Sequence, residues 1–242
     1  MNLASIAALA AAAGGAASCA WGAVHPRSQL FGRTLCRTGD DSTLALTFDD
    51  GPNPAVTPRL LELLARHEAR ATFFLIGRYV RACPGLAAEI AARGHVIGNH
   101  TETHPNLIWL SPQRIREELM QCGEAIAEAT GRKAGWMRPP FGYRGPQLGG
   151  AVRGAACAGV AMWSASGRDW RPQPAARVIR RLRRARGGDI VLLHDGDYRA
   201  LGADRRHTIE ALEYWLPRWK DAGLCFVGLD ASQNHGKGQA NG

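Results

Sequence analysis

None of the six cysteines (Cys19, Cys36, Cys83, Cys122, Cys157 and Cys225) stands in a C-x-x-C pair, which argues against a zinc ribbon. No G-x-S-x-G elbow is present, and no cysteine carries a nucleophile signature, so covalent serine or cysteine catalysis has little support. A P-loop and a dinucleotide-binding glycine fingerprint are also missing. Acidic residues are in the minority, 21 against 30 Lys and Arg, for a net charge of +9 and a pI near 9.8. That imbalance suits an anionic surface or polymer without naming one. Nothing in the middle of the 242 residues resembles a linker, so one α/β domain is expected.

Charge is wholly absent from residues 1–24, MNLASIAALAAAAGGAASCAWGAV. Small residues around Ala17–Ala20 would suit signal cleavage, although no positive n-region precedes them. The run also reaches the roughly 20 residues that span a bilayer, with an Ala- and Gly-rich composition that makes it only weakly hydrophobic. Residues 1–26 are therefore read as a signal peptide or membrane anchor, and the chain as exported or membrane-anchored at the cell envelope. Residues 27–42 are read as a linker, 43–230 as the catalytic domain, and the polar, Gly-rich 231–242 as a disordered tail.

Between these ends, short apolar runs alternate with helical patterns. Strands are expected at 43–48, 71–76, 95–98, 135–137, 159–163, 189–193 and 224–228. TPRLLELLARHEAR, PGLAAEIAARG and SPQRIREELMQCGEAIAEATG read as helices that open on proline and, in the last two, stop at glycine. The alternation predicts parallel strands joined by helical crossovers: a distorted or incomplete (β/α) barrel of about seven strands, with a doubly wound open sheet as the runner-up. The basic run RVIRRLRRAR, Arg177 to Arg186, reads as the solvated face of a helix with one apolar stripe; no nucleic-acid motif accompanies it, and no nucleic-acid partner is expected.

In a parallel barrel, catalytic groups gather where strands end. Asp49 and Asp50 follow the first strand, HTETH (His100, His104) the third, and RPPFGY (Arg138 to Tyr143) the fourth. GRDW (Asp169, Trp170) follows the fifth, and His194 closes the sixth. His100 and His104 are not the metalloprotease helix motif, because Glu102 stands two places after the first His and Pro105 disfavours helix at His104. In a loop, the two imidazoles with one aspartate would still make a metal site with positions open for water. Adjacent side chains of an extended segment point apart, so one Asp would ligate the metal while its neighbour faces the attacking water. A metal can lower the pKa of water from 15.7 to about 7, and a carboxylate completes its activation. His194 would then protonate the leaving group.

Together TFDDGP, HTETH, RPPFG, SGRDW and LLH, in this order across Thr43 to Asp230, resemble the motifs of the polysaccharide deacetylase family, carbohydrate esterase family 4. The resemblance implies a distorted (β/α) barrel, a divalent metal, with zinc expected, and removal of acetyl groups from N-acetylglucosamine-containing glycans of chitooligosaccharide or peptidoglycan type. Carried over by position, it implies Asp50, His100 and His104 as metal ligands, Asp49 as general base and His194 as general acid. Arg138 would support Asp49, and Asp169 would tune His194. The amide near Phe141 would face the oxyanion, while Phe141, Tyr143, Trp170 and Leu192 would contact substrate. Ser166 stands where the fourth motif often has a first Asp. Two alternatives keep the fold: hydrolysis of a non-sugar amide, and a non-catalytic carbohydrate-binding protein.

Overall fold

Apolar residues face both sides of the extended run that precedes Asp49, and both sides are buried, as a parallel strand covered by helices requires. The computed structural model of the chain describes residues 3–230. Their strands are β1 (Thr34–Leu35), β2 (Thr43–Gly51), β3 (Ala71–Leu75), β4 (Val96–Asn99), β5 (Trp136–Met137), β6 (Gly159–Ala161), β7 (Ala165–Ser166), β8 (Ile190–His194) and β9 (Cys225–Phe226). The helices are α1 (Leu3–Val24), α2 (Thr57–Arg66), α3 (Gly77–Ala82), α4 (Pro84–Ala92), α5 (Pro112–Thr130), α6 (Leu148–Gly154), α7 (Ala175–Leu182) and α8 (Arg206–Asp221).

The strands run β1-β6-β5-β4-β3-β2-β8-β7, with β9 added beside β2, and every pairing between them is parallel. The sheet curls into a distorted (β/α) barrel, and all seven expected strands are present. The expected strand 159–163 stops at Ala161 as β6, and a further short strand that the sequence did not suggest, β7, follows at Ala165. β6 pairs with β5 and β7 with β8, so two strands a few residues apart serve opposite ends of the path. Just past β6, the Arg138 guanidinium takes the carbonyls of Ala161 and Met162 at 3.1 and 2.9 Å, in place of a strand partner.

Residues 27–42, expected as a linker, instead contribute β1, whose Thr34 and Leu35 pair with Val160 and Ala161. Arg37 also pins this stretch to Asp189 at 2.6 Å. A strand of two residues is too short for periodicity to show. The uncharged N-terminus forms α1, and among the described residues no helix is long and apolar enough to cross a membrane. The expected tail, 231–242, lies outside the described residues.

Helix ends follow local chemistry. Ser111 caps α5 by accepting the Arg114 amide, Pro112 occupies the first turn, and Gly131 ends the helix with φ of 67°. Leu60, Leu61 and Leu64 of α2 pack with Leu44, Leu46 and Phe48 of β2 in the main core. In α7 the apolar stripe is Val178 and Leu182, both fully buried, which leaves Arg177 and Arg180 outward as the sequence pattern predicts. All six cysteines are free.

Candidate metal and catalytic site

The C-terminal ends of β2, β4, β5 and β8 surround a cavity of about 420 Å³. Its walls include Asp49, Asp50, His100, His104 and His194, together with Phe141, Tyr143, Trp170 and Leu192, the four expected substrate contacts.

An uninterrupted strand would send Asp49 and Asp50 to opposite faces. The ladder with β3 slips between Asp49 and Gly51, and Asp50 takes φ of 70°. This bulge turns both carboxylates into one cavity, which corrects the expectation that they point apart. Different neighbours then separate them. Asp49 Oδ1 accepts a hydrogen bond from Arg138 Nη1 at 2.8 Å, whereas Asp50 Oδ1 lies 3.4 Å from His100 Nε2 and 3.3 Å from His104 Nε2.

His100 and His104 lie in a loop, as Pro105 requires, and not on a helix. Thr101 and His104 both adopt positive φ, 68° and 62°. The Asn99 side chain accepts the Thr101 amide at 2.9 Å, and the Thr101 hydroxyl accepts the His104 amide at 3.0 Å. His100 Nδ1–H donates to the Arg138 carbonyl at 2.8 Å, the tautomer that leaves its Nε2 lone pair facing the cavity. Burial, then the neighbouring His100, pushes the His104 pKa down to about 3, so this ring is neutral near pH 7.

These groups fit a metal ion. The ligand atoms of Asp50, His100 and His104 all lie within 4.8 Å of one another, and all three residues are buried. Asp50 Oδ1 is buried without a hydrogen-bond partner, an arrangement costly for a carboxylate unless a cation faces it. Burial would raise the Asp50 pKa, but the close histidine side chains, His100 foremost, hold it below the usual carboxylate range.

Across the cavity, His194 Nδ1–H donates to Asp169 Oδ1 at 2.9 Å, leaving Nε2 as the free ring nitrogen. Asp169 is fully buried, and its Oδ2 accepts the His194 amide at 2.9 Å and the Thr208 hydroxyl at 2.7 Å. Burial opposes a charged imidazole, but Asp169 outweighs it by charge and hydrogen bond, with help from Asp50 and Asp49. The His194 pKa is pushed up to about 9. Ser166 accepts the Arg168 amide at 3.1 Å and so shapes the turn that carries Asp169.

Arg138 is fully buried and donates to Thr47, Asp49 and two carbonyls, while its guanidinium lies 4.2 Å from the Phe74 ring centre. Phe141 has φ of 59° at the cavity edge. The amides of Gly142 and Tyr143 donate to Pro139 and Pro140, whereas no hydrogen bond among the described residues engages the Phe141 amide.

The sequence reading passed over several residues of the site. Tyr198 stacks on His104 with ring centres 4.3 Å apart, and Trp163 lines the same cavity. Thr47 and Thr208 brace Arg138 and Asp169. Tyr198 follows a rim histidine by four residues in HDGDY, which was a usable signal; a threonine bonded across the barrel leaves none.

The family model for polysaccharide deacetylases matches residues 37–158, half of the chain. A chitooligosaccharide deacetylase of Sinorhizobium fredii is 38% identical over 216 residues, covering 84% of this chain and 97% of the relative. The chain belongs to the polysaccharide deacetylase family. As such it is a hydrolase of carbon–nitrogen bonds other than peptide bonds. A peptidoglycan-N-acetylglucosamine deacetylase of Bacillus cereus is 35% identical over 190 residues, covering 78% of this chain and 86% of its own. Among solved structures, a peptidoglycan N-acetylglucosamine deacetylase superposes with a TM-score of 0.72 at 32% identity, covering 78% of this chain and 86% of that one. A carbohydrate esterase family 4 pseudoenzyme from Bacillus anthracis superposes with a TM-score of 0.73 at 28% identity, covering 81% and 67%. The barrel alone therefore does not decide activity within this deacetylase family.

Proposed function

We propose that the protein removes acetyl groups from N-acetylglucosamine-containing glycans, using a divalent metal, zinc by its donor set, held by Asp50, His100 and His104. The observation that carries this reading is the unpartnered, buried Asp50 Oδ1 facing two imidazole nitrogens at 3.4 and 3.3 Å. When bound, the ion would supply Lewis acidity and lower the pKa of water. Asp49, oriented by Arg138, accepts the proton from the attacking water. The Phe141 amide donates to the developing oxyanion, a contact worth a few kcal/mol in comparable sites. His194, kept protonated by Asp169, gives its proton to the departing amine. Leu192 and Trp170 close around the acetyl methyl, and the exposed faces of Phe141 and Trp170 offer sugar rings a stacking surface.

Chitooligosaccharides and peptidoglycan are the candidate substrate classes, by analogy with the relatives. The uncharged first 24 residues and the net charge of +9 support a place at the cell envelope, which N-terminal sequencing of the mature protein in fractionated cells would check. A purely binding role is less favoured, because binding needs neither the Asp49–Arg138 nor the His194–Asp169 pair.

The test is acetate release from chitooligosaccharides and from peptidoglycan, with metal added or chelated. Metal-dependent release is expected, with Asp49→Asn and His194→Ala each losing about 10²- to 10⁴-fold. Release that survives both substitutions would refute the assigned chemistry.

A further inference from the structure

A second groove, of about 1100 Å³, opens beside the active-site cavity and shares Trp163 and Trp170 with it. Arginine dominates its walls: Arg168 from the loop that carries Asp169, and Arg180, Arg183, Arg184 and Arg186 from the end of α7 and the turn after it. Each of these five is exposed, and none makes a side-chain hydrogen bond or ion pair among the described residues. The carboxylate in the groove, Asp189, is already occupied by Arg37 at 2.6 Å and the Ser164 hydroxyl at 2.7 Å. Arg181 behaves differently: it is spent internally, donating to the carbonyls of Gly167 and Arg168 at 3.2 Å and to Gln173 at 2.8 Å, which rigidifies the loop between the two cavities. Like charges gathered without counter-charges repel one another, and ordinary solvation gives no reason for them to converge on a concavity.

From this we infer that the arginine groove is a binding site for the anionic part of the glycan substrate. The strand carries carboxylates beside the sugar whose acetyl group enters the metal site. The inference rests on the deacetylase reading above and narrows its substrate class to acidic glycans of peptidoglycan type over neutral chitooligosaccharides. Guanidinium forks suit carboxylates, which they engage through two parallel hydrogen bonds. The shared tryptophans make the path continuous: Trp170 borders both the catalytic cavity and the groove that Arg168 lines, and Arg171 adds a further cation at the cavity wall.

The test compares binding and turnover of three probes by the zinc-loaded full chain: disaccharide–peptide fragments of peptidoglycan, the same fragments with their carboxylates amidated, and neutral chitotetraose. The expected result is tighter calorimetric binding of the acidic fragments than of their amidated forms, with an affinity that falls as NaCl is raised. In R168A/R183A/R184A, that preference should shrink by about ten- to a hundredfold, since each exposed pair contributes little and three act together. For turnover, KM on acidic fragments should rise while kcat/KM on chitotetraose stays unchanged. R168K/R183K/R184K, which restores the charge, should recover most of the preference.

Equal binding of acidic and amidated fragments would overturn the inference. So would a loss in the alanine variant that is the same on chitotetraose, or binding confined to phosphatidylglycerol vesicles, which would make the groove a membrane-facing surface. If the charge-dependent binding is found but no probe releases acetate, the groove assignment stands and the deacetylase reading fails.

Discussion

Asp49 and His194 are register partners on adjacent parallel strands, β2 and β8, so both side chains leave the sheet on the same side at the same height. Each is held from behind by a fully buried group of opposite charge, Arg138 for Asp49 and Asp169 for His194. A carboxylate and an imidazole thus face one cavity from neighbouring strand ends, with the three side chains that could hold a metal ion beside them.

The His194–Asp169 pair sets the alkaline side of the pH profile. Asp169→Asn removes the charge that raises the His194 pKa to about 9, so the alkaline limb of kcat should move to lower pH and the maximum rate should fall. Stability follows the same sign. Because the folded-state pKa is raised, His194 contributes its full stabilisation below the unfolded value near 6.5 and loses it as pH rises through about 9. Urea unfolding of wild type at pH 6 and pH 9.5 should show a decline that the variant lacks; parallel declines would remove Asp169 as the cause.

Metal should act as a stabilising ligand. Zinc at a hundred times its dissociation constant adds about 2.7 kcal/mol to the folded state. Adding zinc to the chelated protein should therefore raise Tm, and His104→Ala or Asp50→Asn should abolish the rise. Asp50→Asn also removes an unpaired buried charge, so this variant's metal-free form should be no less stable than the wild-type metal-free form. An undiminished zinc response in both variants would exclude these ligands.

Beyond its proposed role beside Asp49, Arg138 is structural. Removing one member of a buried ion pair leaves the other uncompensated, so Arg138→Met should cost about 3–5 kcal/mol. It would also free the carbonyls of Ala161 and Met162 at the break between β6 and β7. Denaturant unfolding measures the loss; a cost below about 1 kcal/mol would mean that water or a repacked chain replaces the guanidinium.

Gly196 tests the bulge. A Cβ there would run into the carbonyl of Asp50, which is backbone and cannot swing aside. Gly196→Ala should therefore displace Asp50, weaken zinc binding by calorimetry and destabilise the fold by roughly 1–3 kcal/mol. Wild-type zinc affinity in this variant would show that the bulge yields without moving the carboxylate.

Much of this protein is determined locally and was legible on that account. The apolar runs at 43–48, 71–76 and 189–193 are long enough to specify buried parallel strands, and Ser111, Pro112 and Gly131 mark the ends of α5 whatever surrounds them. Placing polar residues at strand ends was enough to gather Asp49, Asp50, His100, His104, Arg138 and His194 on one rim, because a parallel barrel aligns all its C-terminal ends. Tertiary structure decided the rest. Whether Asp49 and Asp50 share a cavity depends on a one-residue slip against β3, a relation between two strands that neither contains alone. That the carbonyls after β6 find a partner depends on Arg138, which reaches them from the end of β5. The arginines of α7 read along the chain as a solvated helix face; only packing beside the loop of Asp169 turns them into one wall of a groove. Periodicity and capping act within a few residues and can be read in order, whereas a bulge, a buried guanidinium and a charged concavity are made by residues that meet only after folding.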